Sequence, residues 1–294
     1  LEGVENIPKE YPQRLRHQPN RYTPEDFLSC VADAYIPGLY PIEVMVREQM
    51  QAPQSLKEAV GRPDACQWRM ACAAELNGMR EKGVFDLVER PKDAQILKSR
   101  WVFTQKMGQD GSMTTYKARL VIKGFAQVPG KDYNLTWSPL SSWTTLRTLF
   151  AYAAEQDLEM RHGDITQASL NSDAKCSIFV EQPDGFEDGS GHVWLLKKYM
   201  YGLKQASREW NQTMSQHLGT LGMHCGESDA SLYVSRVQNP GGVKTLLALW
   251  VDDFFTVGSP EGLDRVMSGT LSRFVGTDLG EVSWGSSSGC GGTG

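Results

Sequence analysis

The chain has 294 residues, 40% of them hydrophobic and 10% aromatic, with 22% charged residues and a net charge of -5. That is apolar mass for one large or two ordinary cores, and six cysteines (Cys30, Cys66, Cys72, Cys176, Cys225, Cys290) without a CxxC pair read as free thiols, not a zinc ribbon or a disulfide framework. The longest strongly apolar stretch, Leu246 to Val251, falls far short of the roughly 20 residues of a membrane helix, and the acidic N-terminus lacks the apolar core of a signal peptide. An intracellular protein of the cytoplasm or nucleus, with no membrane partner, is expected.

Residues 1–52 ("IPKEYPQRLRHQPNRYTPEDF" within them) are rich in Pro, Arg, Glu and Tyr without sustained periodicity, which suggests a linker or loosely ordered arm. A helix should begin near Ser55, and Trp68, Ala71, Cys72, Leu76 and Met79 recur at helical spacing over Ala65 to Met79. The period then changes. "SRWVFTQKMGQDGSMTTYKARLVIKG" is two strand-like runs around Gln109-Asp110-Gly111, an Asp-Gly hairpin signal. From Pro91 to Lys131 eight basic residues (Lys92, Lys98, Arg100, Lys106, Lys117, Arg119, Lys123, Lys131) face two acidic ones (Asp93, Asp110), a local balance of +6. That stretch is a candidate phosphate-facing surface, the alternative being an ordinary solvated strand face.

Downstream, Leu146 to Leu158 reads as helical after the Ser and Thr capping candidates of "SPLSSWTT". "SIFVEQPDGF", "VWLLKK" and "KTLLALWVDDFFTVG" read as strands, and Ser207 to Leu221 as a helix with Trp210, Met214, Leu218 and Leu221 on one face and Gly222 near its end. Mixed helices and hairpins predict an α+β architecture rather than a parallel βαβ array. The low-complexity segment 285–294 should be disordered, and its GxSxG and GxGxxG matches lack any strand-turn-helix context. His217, with His224 and Cys225, resembles a metal site only weakly and fits an exposed helix position. Tyr199, Trp194 and Trp210 suit either base stacking or core packing.

The adjacent carboxylates Asp252 and Asp253 sit between two apolar runs. A surface turn would accommodate them, but buried flanks point to a tip facing a cleft. Neighbouring strand residues point to opposite faces, so the pair can converge only at a twisted tip or bulge. Two carboxylates suit glycoside hydrolysis or a divalent cation. Asp164 in "MRHGDITQASLN" supplies a third oxygen donor, and three such donors suit Mg²⁺ with sites left for phosphates. Adding the basic hairpin makes a phosphate-bearing substrate and a two-ion displacement the expectation.

Several blocks in order, "APQSLKEAV", "WRMACAAEL", "SRWVFTQK", "YKARLVIKGFAQVPGKDY", "SPLSSWTTLRTL", "GDITQASLN", "FVEQPDGF", "KKYMYGLKQASREW", "WVDD" and "TDLGEVSW", resemble the reverse transcriptase domain of copia-type LTR retrotransposon polyproteins over roughly Pro53 to Trp284. The resemblance implies a right-hand polymerase fold of fingers and palm, with the fingers hairpin at about 98–125 and an antiparallel palm sheet backed by helices at about 138–260. It implies RNA-directed DNA synthesis from dNTPs on an RNA or DNA template with a primer, using two Mg²⁺ ions with Mn²⁺ as an alternative. Other parts of a retrotransposon polyprotein are implied partners. Asp164, Asp252 and Asp253 would be the metal ligands and catalytic carboxylates, Asp253 the more peripheral. Lys106 and Arg119 would contact the triphosphate, Lys117 and Lys123 would belong to the nucleic-acid surface, and Gly202, Lys204 and Gln205 would pack near the nucleotide and template.

Four departures qualify the resemblance. Ser169 stands where the family carries an aromatic ring against a ribose 2′-hydroxyl, Trp250 replaces the usual Tyr, Cys176 replaces an acidic or polar residue, and after Trp284 the family's thumb, connection and RNase H are replaced by Gly and Ser. The alternatives are a truncated, catalytically inactive relic that keeps the fold and nucleic-acid binding, and a stand-alone metallophosphatase on the same carboxylates.

Overall fold

The computed structural model describes residues 52–107, 113–235 and 244–282; at 106, 107, 113 and 114 it describes the backbone alone. The arm, the Gln109-Asp110-Gly111 turn and the C-terminal tail therefore lie outside the described residues. Helix α1 (Leu56–Gly61) starts where Ser55 caps it through the Glu58 amide, and α2 (Ala65–Glu81) buries Trp68, Cys72, Leu76 and Met79. Burial pushes the Cys72 thiol up to about 12, so it packs as a small apolar group.

Strands β1 (Phe85–Val88) and β2 (Ile96–Leu97) precede the long hairpin of β3 (Ser99–Met107) and β4 (Met113–Ile122). Alternation divides that hairpin into two faces. Trp101, Phe103, Ala118 and Leu120 are buried toward α2, where Trp68 meets Phe103 and Tyr116 edge-on at 5.2 and 4.7 Å. The register Thr104↔Lys117 and Val102↔Arg119 puts both cations on the other face.

Helix α3 (Trp143–Glu155) is capped by Ser142 and ends three residues earlier than the periodicity predicts. It is followed by β5 (Glu159–Ile165), a 3₁₀ turn (Ala168–Asn171), β6 (Phe179–Val180), β7 (Val193–Leu196) and α4 (Ala206–Thr220). Strands β8 (Met223–Cys225), β9 (Leu232–Ser235), β10 (Leu246–Trp250) and β11 (Asp253–Gly258), then α5 (Pro260–Arg273) and β12 (Gly276–Glu281), complete the chain.

Six strands form one antiparallel sheet in the order β12-β5-β11-β10-β9-β8, and β1, β7, β6 and β2 form a smaller sheet in which β2 and β6 pair in parallel. The α+β class expected from the sequence, with an antiparallel sheet backed by helices, is the observed one. One face of the six-stranded sheet packs Leu247, Leu249 and Phe254 against Trp210, Met214 and Leu218 of α4 and Val266 and Met267 of α5. The opposite face packs Met160, Ala248 and Val257 against Leu146, Leu149 and Ala153 of α3. Cover on both faces explains why β10 reads as an unbroken apolar run rather than an alternating one.

Three aromatic candidates for base stacking are core residues: Tyr199 and Trp210 are 2% exposed and Trp194 is 4% exposed. His217 is also buried rather than on an exposed helix position, and its Nε2 is 3.0 Å from the Gly269 carbonyl oxygen. Its helix position faces α5, a neighbour that the local pattern did not reveal.

Candidate active site

The acidic centre is made by a two-residue turn. Trp250 pairs with Asp253, so Val251 and Asp252 are the turn residues between β10 and β11. Val251 has φ +53. Positive φ at the first central residue is the sign pattern of a II′ hairpin turn, where Gly is the usual occupant and a β-branched residue is strained. Two long-range bonds hold the turn there: Trp210 Nε1 donates to the Val251 carbonyl at 2.7 Å, and the Ile165 amide donates to the Asp252 carbonyl at 2.8 Å.

The second bond brings in Asp164. β5 and β11 pair antiparallel with Asp164 directly opposite Asp253, and Phe255 opposite His162. Opposed residues share a face, so Asp164, Asp253, His162 and Phe255 lie on the face that carries Met160 and Val257. The residue before Asp164 must be Gly: a Cβ on Gly163 would lie 2.2 Å from Cζ of Phe254, whose ring fills that space from β11. All three aspartates predicted from sequence are thus gathered at the adjoining ends of β5 and β11.

Their environments differ. Asp252 accepts a hydrogen bond on Oδ2 from the Tyr201 hydroxyl at 3.0 Å, while its Oδ1 is buried and finds no hydrogen-bond partner among the described residues. Burial pushes its carboxyl above the ordinary range; the Tyr201 hydrogen bond opposes that, the negative charges of Asp164 and Asp253 add to it, and Arg119 opposes it. Asp253 is instead engaged by His162, with Nε2 at 2.9 Å from Oδ1, and the imidazole stacks on Phe255 at 4.5 Å. Among the described residues no group of three or more His, Cys, Asp or Glu side chains is arranged to hold a metal ion. The feature that fits a cation is narrower: one buried, unpartnered carboxylate oxygen on Asp252 beside the charge of Asp164.

The other predicted residues fall into three places. Arg119 lies within electrostatic reach of Asp252 and Tyr201, so the hairpin delivers a cation to the carboxylates. Lys117 is exposed two residues before it on the same hairpin face; Lys106 shares that face by register with Thr115. Lys123 is elsewhere, lining an open pocket of about 530 Å³ with Lys98, Arg90 and Glu181.

Gly202, Lys204 and Gln205 form a clamp rather than a set of presented side chains. Gly202 has φ +92, and a Cβ there would lie 2.1 Å from the Ile122 carbonyl oxygen at the end of β4. The Tyr201 carbonyl accepts from the Ile122 amide at 2.8 Å. Gln127 then bridges the segment, accepting from the Lys204 amide at 2.8 Å and donating to Gln205 Oε1 at 3.1 Å. Only the Lys204 side chain is exposed. Ser169 is 5% exposed in the 3₁₀ turn, with its hydroxyl buried and unpartnered among the described residues.

Sequence reasoning missed Tyr201 and His162. Tyr201 lies inside the quoted block immediately before Gly202, and His162 lies two residues before Asp164, the spacing that places both on one strand face; either could have been found that way. Exposed Trp137 and Trp143, 69% and 49% accessible, were also passed over, and Trp143 lies 5.4 Å from Trp250 beside the turn.

Residues 82–284 match the model of a family described as reverse transcriptase (RNA-dependent DNA polymerase). The chain belongs to that family. This reverse transcriptase domain is 37% identical over 245 residues to the retrovirus-related Pol polyprotein from transposon TNT 1-94 of Nicotiana tabacum, which covers 82% of the chain and 18% of that polyprotein. It is 34% identical over 239 residues to the corresponding polyprotein from transposon RE1 of Arabidopsis thaliana, covering 80% of the chain and 16% of the relative. The copia-type relationship read from the motif blocks is therefore borne out, and the chain spans under a fifth of the length of these relatives. A solved foamy viral protease-reverse transcriptase in complex with double-stranded DNA aligns with 72% of this chain and 31% of its own, at TM-score 0.34 and 9% identity. Among the described residues no helix is long and apolar enough to cross a membrane.

Proposed function

We propose that residues 53–284 form the fingers and palm of a copia-type polymerase that adds dNTPs to a primer 3′ end on an RNA or DNA template. The observation that carries this reading is the gathering of Asp164, Asp252 and Asp253 at the ends of β5 and β11, with Arg119 facing them from the basic hairpin. Asp164 and Asp252 would hold the divalent cations, Mg²⁺ by preference, and the unpartnered Oδ1 of Asp252 is the group most in need of one. When bound, the cations would supply charge neutralisation for an attacking hydroxyl and a departing pyrophosphate. Asp253, already engaged by His162, is the more peripheral carboxylate. Arg119 and Lys106 would meet the triphosphate, with Lys117 and Lys123 on the nucleic-acid surface and the Gly202–Gln205 clamp fixing the neighbouring backbone.

Ser169 in place of an aromatic ring would weaken rejection of ribonucleotides, and Ser169→Phe should restore preference for dNTPs. A second reading, a non-catalytic relic that keeps the fold and nucleic-acid binding, is favoured by Ser169, a buried small residue where the family carries an aromatic ring. Mg²⁺-dependent extension of a labelled DNA primer on an RNA template separates the two. A polymerase extends and loses extension in Asp252→Asn while still binding the duplex; a relic binds with or without the change and extends nothing.

A further inference from the structure

Glu75 lies on α2, outside the motifs that carry the chemistry, yet its carboxylate joins two segments that flank the candidate site. Oε2 accepts from Gln167 Nε2 at 2.8 Å, and Oε1 accepts from the Leu120 amide of β4 at 3.4 Å. Leu120 follows Arg119, and Gln167 follows Asp164 by three residues. Gln167 has φ +53, a strained conformation for a non-glycine residue that persists only where its surroundings impose it.

Those surroundings are visible. The Ile165 amide is bound to the Asp252 carbonyl and the Thr166 amide to the Val275 carbonyl, while Lys82 Nζ donates to the Thr166 carbonyl at 3.3 Å. Glu75 completes this set by holding the Gln167 side chain, which lies against Gly78 of the same helix. Helix α2 therefore holds the chain at 167, and its C-cap Lys82 holds it at 166, while the helix packs the basic hairpin on its apolar face. A carboxylate in this setting is costly to desolvate; burial pushes it up, and Gln167, the Leu120 amide, Arg119 and Lys117 offset the cost.

We infer that Glu75 is a positioning residue for the candidate active site: by tying Leu120 to Gln167 it sets where Arg119 stands relative to Asp164 and Ser169. The inference rests on the polymerase reading for its functional consequence and on geometry alone for its structural one. Glu75→Gln preserves the tie without the charge, since a glutamine oxygen accepts from the Leu120 amide and its NH₂ donates to a flipped Gln167 carboxamide. Glu75→Ala removes both ends, and Gln167→Ala removes one.

The experiment measures amide hydrogen exchange and Mg²⁺–dNTP dissociation constants on the same full-chain variants. Glu75→Ala should speed exchange in peptides covering Leu120 and residues 164–171, leave β10 protected, and weaken dNTP binding about tenfold, a misplacement effect. Gln167→Ala should give a smaller loss, the double variant no more than Glu75→Ala alone, and Glu75→Gln should stay within about twofold of wild type. Unchanged exchange in Glu75→Ala overturns the inference. So does faster exchange with unaltered dNTP binding, which would make the tie purely structural. If Glu75→Ala does not fold, Gln167→Ala and Glu75→Gln decide by the same two readouts. A wild-type chain that holds no dNTP sinks the polymerase reading, and the exchange arm still decides whether Glu75 joins the two segments.

Discussion

Two hairpins bring charged groups to the candidate site, and they are built on opposite plans. In β10–β11 both faces are covered, by α4 and α5 on one side and α3 on the other, so charge is confined to the tip, where Val251 takes a strained conformation to place Asp252. In β3–β4 one face is buried on α2 and the other is open, so cations occur along the strand at alternate positions. The carboxylates are thus fixed by the core, whereas the cations are presented on a surface. That difference suits a site in which acidic groups must hold a fixed geometry and basic groups must meet a mobile polyanion.

The contrast is sharpest in side-chain truncation. Phe254→Ala should cost about 3–5 kcal/mol, and Val257→Ala, on the opposite face of β11, about 2 kcal/mol. On β3, Phe103→Ala should cost about 3–5 kcal/mol but its neighbour Thr104→Ala less than about 0.5 kcal/mol. Urea unfolding midpoints check all four, and a Thr104→Ala penalty equal to that of Phe103→Ala would erase the distinction. Gly202→Ala comes next, at about 2–3 kcal/mol, because the new Cβ meets the Ile122 carbonyl at a φ of +92 that alanine resists. Its effect should fall on the hairpin, seen as faster exchange at Ile122.

Reversing charge on the open face should change binding, with a stability cost through Glu75 and Asp252, whose burial these cations offset. The double variant Lys117→Glu, Arg119→Glu should lower the magnitude of the slope of log K against log salt for duplex binding by about 2; a slope identical to wild type removes the hairpin from the interface. Val251→Gly should relieve the turn and raise stability by about 1 kcal/mol. A fall in stability there would mean that the valine side chain contributes more than its backbone costs. A pH test bears on the α4–α5 cover. Burial holds the His217 imidazole below its ordinary 6.5. The folded chain therefore favours its neutral form, and stability present above pH 6.5 is lost as pH falls through the folded value. His217→Gln should flatten that part of the profile.

The sequence was most legible where one physical signal dominates. Helical spacing marks α2 and α4, and the Ser55 and Ser142 caps begin α1 and α3 where hydroxyl caps are expected. It was least legible for β12, whose Gly276–Glu281 segment is mostly exposed and bulged and so carries no apolar alternation. Helix α5 was readable but missed: Ser259 caps it and Pro260 occupies its first turn. For the site, Asp164, Asp252 and Asp253 were visible as residue types, and their meeting was not, because it depends on the β5–β11 register. The diversion of Asp253 to His162, and the grip of Glu75 on Gln167, are side-chain contacts between segments far apart in the chain that no local pattern encodes.

The most direct measurement is Mg²⁺-dependent primer extension by the wild-type chain and by Asp164→Asn, Asp252→Asn and Asp253→Asn, with duplex affinity measured beside it. Losses of about 10³-fold or more are expected for the first two variants, since several kcal/mol of metal-borne stabilisation disappear, about tenfold for Asp253→Asn, and unchanged duplex affinity throughout. Equal losses at all three positions would contradict the peripheral role given to Asp253, and a wild-type chain that binds the duplex but extends nothing would contradict the polymerase reading itself.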